Sequence, residues 1–175
     1  MRRSTIVAFL LCLLLQCMST SSFANVEQLS RTPESWRVGS GRLTWLGMTV
    51  YRASLYAPQG EFRADHPYAI RIDYRFSFDR RQLAQRSLEE IERLFGARQD
   101  GQQVVERLES LFCDVSKGDR IIGIHYPGEG AEFYCNDKLQ GHTEDAELAA
   151  AFFAIWLNPR TSETQLRKQL LGYQP

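Results

Sequence analysis

The stretch Tyr68–Phe76 constrains this chain more than any other. Tyr68, Ile70, Ile72, Tyr74 and Phe76 alternate with Ala69, Arg71, Asp73 and Arg75. A period of two puts the first set on one face of a strand and the second on the other. One face is apolar and the other carries charge, the pattern of an antiparallel sheet with one buried and one wet side. Arg71, Asp73 and Arg75 then read as a wet face with a cross-strand charge ladder. The period changes just afterwards. Asp79 is a good N-cap, and Leu83, Ala84, Ser87, Leu88, Ile91, Leu94 and Phe95 share one helical face, with Gly96 as the stop. Arg80, Arg81, Arg86, Glu89, Glu90 and Arg93 cover the opposite, wet face, where a solvated role is expected for the acids Glu89 and Glu90.

The rest of the chain follows the same logic. Residues 25–37 are a polar lead-in with Val26, Leu29 and Trp36 as anchors. Residues 42–46 and 48–56 read as strands turned by Gly47, and a second helix spans about 102–112. Strands 120–126, 131–135 and roughly 139–142 form a meander, joined by Pro127-Gly128-Glu129-Gly130 and by Asn136-Asp137. Thr143 is expected to cap a strongly apolar helix carrying Leu148, Phe152, Phe153 and Trp156, which Asn158-Pro159 breaks. Ser162 and Gln165 have capping-box spacing for a last helix to about Leu171. No βαβ alternation occurs, so a parallel sheet is disfavoured. The expected class is α+β, an antiparallel sheet with helices layered on one face, in a single domain over residues 25–175.

Residues 1–24 stand apart. Arg2 and Arg3 precede an apolar run, Ile6 to Leu15, and the stretch ends Ser22-Phe23-Ala24. This is the pattern of a secretory signal peptide cleaved after Ala24, and it implies a periplasmic or secreted bacterial protein. The apolar run is shorter than the roughly 20 residues that span a bilayer, and no later segment could span one. Loss of Arg2 and Arg3 lowers the basic count from 21 to 19 against 21 acids. Nothing in that balance marks a nucleic-acid partner or a polybasic membrane segment. Cys12 and Cys17 leave with the leader. Cys113 and Cys135 remain, either paired in an oxidising compartment or serving as two small buried hydrophobes.

Familiar catalytic patterns are missing. There is no G-x-S-x-G elbow, and His66, His125 and His142 have no metal-ligand spacing. Neither a metal nor a cofactor is expected. Gly39-Ser40-Gly41 precedes a strand rather than a helix, so it offers no phosphate cradle and instead permits a bulge or a close strand approach. What stands out is a concentration of tyrosines and arginines around the first strands. An inward Arg with a Tyr hydroxyl would hold a carboxylate or enolate, and Arg42, beside the glycines, is the candidate to point into the sheet interior.

Gly39-Ser40-Gly41-Arg42-Leu43, the Tyr51–Tyr56 strand, Gly118-Asp119-Arg120 and Phe152-Phe153-Ala154-Ile155-Trp156-Leu157-Asn158-Pro159-Arg160-Thr161 occur together. In this combination the chain resembles the bacterial exported branch of the chalcone isomerase-like proteins over most of residues 36–172. The resemblance implies an open-faced β-sandwich with a pocket between sheet and helices. It also implies one of two activities. The isomerases use an Arg after a glycine on an early strand, a position Arg42 matches, together with a Tyr and an Asn seven residues apart on the helix after the long strand. Residues 79–90 contain neither. Lipid-binding relatives place an Arg and a Tyr on a carboxylate, a pairing that Arg42 with Tyr51 or Tyr56 would meet. The leading expectation is therefore non-catalytic binding of a small apolar carboxylate or fatty acid. An intramolecular lyase or isomerase acting on a phenolic or enolate-forming substrate is the alternative, and a structural or partner-binding domain the third. Cys113 stands where relatives tend to have Pro, which with Cys135 at the end of a returning strand favours a disulfide.

Overall fold

The computed structural model describes residues 28–173. The expected leader, with its cleavage point after Ala24, lies outside them, as does Val26. Six strands form one sheet in sequence order: β1 (Arg37–Trp45), β2 (Met48–Tyr56), β3 (Tyr68–Tyr74), β4 (Arg120–Tyr126), β5 (Gly130–Cys135) and β6 (Lys138–Thr143). Every neighbouring pair is antiparallel. Helices α1 (Arg80–Phe95) and α2 (Gly101–Leu111) interrupt the meander between β3 and β4, and α3 (Ala146–Leu157) and α4 (Thr164–Leu170) follow it. This is the expected open antiparallel sheet with helices on one face.

Cross-strand register assigns the faces. Leu55, Ile70, Gly123 and Phe133 lie in one row across β2–β5 and look toward the helices. Phe153 of α3 lies over Phe133 with ring centroids 6.4 Å apart, and Phe152 meets Phe133 edge-on at 5.2 Å. Gly123 makes this stacking possible, because a Cβ there would stand 3.0 Å from the Phe153 ring. The apolar Phe152-Phe153-Trp156 face is thus the keel of the helix layer, and all three residues are buried. On the opposite face the lead-in is more than a polar tail. Its Leu29 and Trp36 pack with Tyr56, Ala69, Ile122 and Ile124 in a second, smaller core. That cover does not extend to the far end of β1 and β2, where Arg42 and Arg52 are exposed.

Several local expectations change. Asp79 caps α1 with a full capping box to Gln82. The cap of α3, however, is Asp145, which accepts from the Leu148 amide, while Thr143 Oγ accepts from the Asp145 amide. A carboxylate is the stronger acceptor at a positive helix end. The last helix starts after Glu163 with no side-chain cap bond, and Ser162 is used elsewhere. Gly39 sits at a register shift of β1, a bulge as expected, but the close approach is by a helix. A Cβ on Gly39 would fall 2.2 Å from the Gln169 carbonyl oxygen of α4 and 2.7 Å from that of Leu170.

Glu90 corrects the reading of α1. Glu89 is exposed, but Glu90 is only 6% exposed. Its carboxylate accepts from Arg86, from Arg93 at 2.8 Å and from Ser162 Oγ at 3.1 Å, tying α1 to the loop before α4. Replacing it with alanine leaves Arg86 with Glu89 and Arg93 with the Arg160 carbonyl, and takes from Ser162 Oγ its acceptor and from α1 its tie to the loop before α4. Glu90→Ala is therefore expected to cost about 2 kcal/mol, measured as a fall in urea midpoint at unchanged m-value.

Candidate functional site

Arg42, Tyr51 and Tyr56 occupy three different environments. Gly41, not Arg42, takes the inward position of β1 opposite Ala53, because α4 lies directly on it: a Cβ on Gly41 would meet Gln169 Oε1 at 2.2 Å. Arg42 is consequently turned to the open face and exposed, which corrects the expectation of an arginine inside the sheet. Tyr51 points the other way, into the helix layer. Its hydroxyl accepts from Trp156 Nε1 at 3.0 Å, its ring stands edge-on to Tyr74 at 6.1 Å, and burial pushes its pKa up to about 12. Tyr56 shares the open face with Arg42 but is buried in the small core. It lies four residues along β2 from Arg52, roughly 13 Å at the rise of an extended strand. The structure brings neither tyrosine to Arg42.

It brings other residues there instead. Arg42, Arg52, Arg75 and Lys117 line one open groove of about 820 Å³, with Met48 and Phe76 as its apolar wall and Thr49 and Ser77 beside them. Arg42 and Arg52 are directly opposed across β1 and β2. Arg75 arrives beside them because its amide donates to the Val50 carbonyl at 3.0 Å, and Lys117 comes in on the turn before β4. None of the four makes an ion pair among the described residues; Arg52 makes a single 3.4 Å hydrogen bond to Ser40 Oγ. Asp73 is the acid in register with Arg52, but its carboxylate is taken by Arg71, its neighbour on the same strand, at 2.7 Å. The expected charge ladder thus runs along β3 rather than across the sheet. Like charges opposed across a sheet repel, so the pairing of Arg42 with Arg52 is electrostatically unfavourable.

Sequence reasoning reached Arg42 and put Phe76 near the arginines but on the buried face of its strand, whereas Phe76 lies beyond the end of β3 and is exposed in the groove; it missed Lys117 and Met48. Their only signal was position: Met48 beside the Gly47 turn and Lys117 in a Lys-Gly-Asp turn. Chain register alone makes them neighbours.

The helix side of the sheet offers a different chemistry. His125 is 6% exposed, wedged against Tyr68 and Phe153 at ring distances of 5.1 and 4.9 Å. Neither ring nitrogen has a hydrogen-bond partner among the described residues, and burial lowers its pKa to about 4. Burial also raises the Tyr68 and Tyr74 hydroxyls well above their ordinary value. These groups are held neutral within a packed aromatic layer. Among the described residues no cluster of three or more His, Cys, Asp or Glu side chains is placed to hold a metal ion. No described helix is long and apolar enough to cross a membrane. Cys113, after α2, is bonded to Cys135 at the end of β5, with their Cα atoms 6.3 Å apart.

Comparison with known proteins agrees with this architecture. No curated protein sequence matches the chain. Among solved structures, the crystal structure of an Arabidopsis thaliana fatty-acid binding protein is similar, with a TM-score of 0.60 at 15% identity, over 81% of this chain and 89% of that one. The family model described as chalcone isomerase-like matches residues 38–172, from the start of β1 to just beyond α4. With the strand order, the helix layer and this match in accord, the chain belongs to the chalcone isomerase-like family.

Proposed function

We propose that the chain is an exported, non-catalytic binding protein for a small apolar carboxylate or fatty acid, held in the open groove with Arg42 as its anchor. One observation carries the reading: four cations without a carboxylate partner among the described residues stand beside the apolar wall of Met48 and Phe76. A carboxylate with a short apolar chain answers both halves of that surface. Its oxygens accept charge-assisted hydrogen bonds from Arg42 and Arg52, and its methylenes cover Met48 and Phe76. The anion also relieves the repulsion between the opposed arginines. The fatty-acid binding of the Arabidopsis relative supports the ligand class. The pattern of residues 1–24 supports export, and the Cys113–Cys135 bond suits an oxidising compartment. Tyr51 and Tyr56 are, in this reading, supports of the two cores rather than ligand contacts.

Titration calorimetry with a medium-chain fatty acid and its matching alcohol tests the reading. The acid is expected to bind, the alcohol at least about tenfold more weakly, and Arg42→Ala to weaken the acid by a similar factor, the worth of one charge-assisted contact. Equal affinity of wild type and Arg42→Ala for the acid would sink it.

A further inference from the structure

We infer that the β1–β2 hairpin end of the sheet docks on an anionic phospholipid bilayer, with Trp45 and Leu46 at the boundary of headgroups and acyl chains and the groove cations against lipid phosphates. The inference goes beyond acid binding but uses the same cations, so its test must separate the two.

Trp45, Leu46 and Met48 are 66%, 78% and 50% exposed within four residues of chain, and Phe76 in the adjoining groove wall is 42% exposed. The other large exposed apolar residues, Phe95, Leu139 and Tyr173, stand on different elements. An apolar group gathered on one tip marks an interaction surface rather than ordinary surface scatter. The turn itself adds an independent observation. Leu46 and Gly47 both have positive φ, 48° and 79°, the geometry that Asn-Gly serves best. A leucine is strained there, and it gains no packing within the fold that would compensate. Its value must come from something outside the chain.

Charge decides what that is. Arg42, Arg52, Arg75 and Lys117 lie next to the tip without ion pairs among the described residues. A free acid in the groove would satisfy cations but leave Trp45 and Leu46 in water. A second copy of the chain, placed tip to tip, would set the same cations against each other. A bilayer containing anionic lipid supplies phosphates for the cations and an apolar boundary for Trp and Leu, an arrangement in which tryptophan is favoured.

Trp36 and Trp156 are buried, so Trp45 is the solvent-facing tryptophan and its emission reports the tip directly. Vesicles of phosphatidylcholine with about 30% phosphatidylglycerol are expected to blue-shift that emission and shield it from acrylamide, and brominated acyl chains to quench it. Neutral vesicles, or about 0.5 M salt, are expected to weaken binding at least roughly tenfold. Leu46→Asn keeps the turn and is expected to retain thermal stability and soluble-acid affinity while weakening vesicle binding at least about threefold. No blue shift on anionic vesicles, an undiminished response in Leu46→Asn, or a Trp45 already shielded in lipid-free protein would overturn docking. Vesicle binding that persists without any acid binding would overturn the proposed ligand and leave docking standing; acid binding without a vesicle response would do the reverse.

Discussion

Replacing both Cys113 and Cys135 with alanine is expected to cost about 3 kcal/mol, the largest loss foreseen for a change outside the aromatic core. The bond joins positions 22 apart, so its removal frees a loop that contains all of β4 and most of β5. Restricting that loop in the unfolded chain is worth roughly 3 kcal/mol by loop-closure entropy. The placement reinforces the effect. Cys113 follows α2 and Cys135 ends β5, and both pack against the main core, so the bond fastens the end of α2 to the strand next to the sheet's β6 edge. Denaturation in urea with and without reductant measures it. Wild type should lose its advantage over the double variant once reduced, whereas equal midpoints under oxidising conditions would show that the bond does not hold the fold. A stabilising disulfide of this size also makes the compartment matter: protein made in a reducing cytosol should melt several degrees lower.

The second large effect is on pH dependence. In the unfolded chain a histidine titrates near its ordinary value, about 6.5, whereas His125 in the folded protein is lowered to about 4 by burial. Above about pH 6.5 both forms are neutral and the residue adds no slope. Between about 6.5 and 4 the unfolded chain takes up a proton that the folded one refuses, so stability falls as pH falls. Below about 4 both forms are charged and the loss is complete, at most about 3 kcal/mol for a depression of this size. His125→Phe keeps an aromatic ring against Tyr68 and Phe153 and removes two buried nitrogens that have no hydrogen-bond partner among the described residues. The variant is expected to be at least as stable at pH 7 and to lack this share of the acid sensitivity. Stability measured from pH 7 to pH 4 should therefore diverge between the two proteins; parallel curves would contradict the assignment.

Much of the scaffold is written locally. The alternation of Tyr68–Tyr74 specifies a strand with two unlike faces, and Asp79 with Gln82 specifies the start of α1, because each signal lies within a few residues. The Phe152-Phe153-Trp156 run marks the helix that fills the core. Glycines hide more. Gly39 and Gly41 have no side chain to declare a face, so alternation alone could not show that β1 turns Arg42 outward and that α4 rests on the bare backbone. Glu90 was concealed by its exposed neighbour Glu89, and the hydroxyl that completes its shell comes from Ser162, 72 residues away. The groove is the least local feature of all. Arg42, Arg75 and Lys117 are far apart in the chain, and they meet only through the pairing of β1 with β2 and of the segment after β3 with Val50.

In the proposed function the ligand occupies the open face, not the space between sheet and helices. Amide and arginine side-chain NMR spectra, recorded while a medium-chain fatty acid is added, locate it directly. The expected shifts centre on Arg42, Arg52, Phe76 and Lys117, while Tyr51, Tyr74 and Trp156 stay in place. Shifts centred on Tyr51, Tyr74 and Trp156, with the groove residues unmoved, would contradict it.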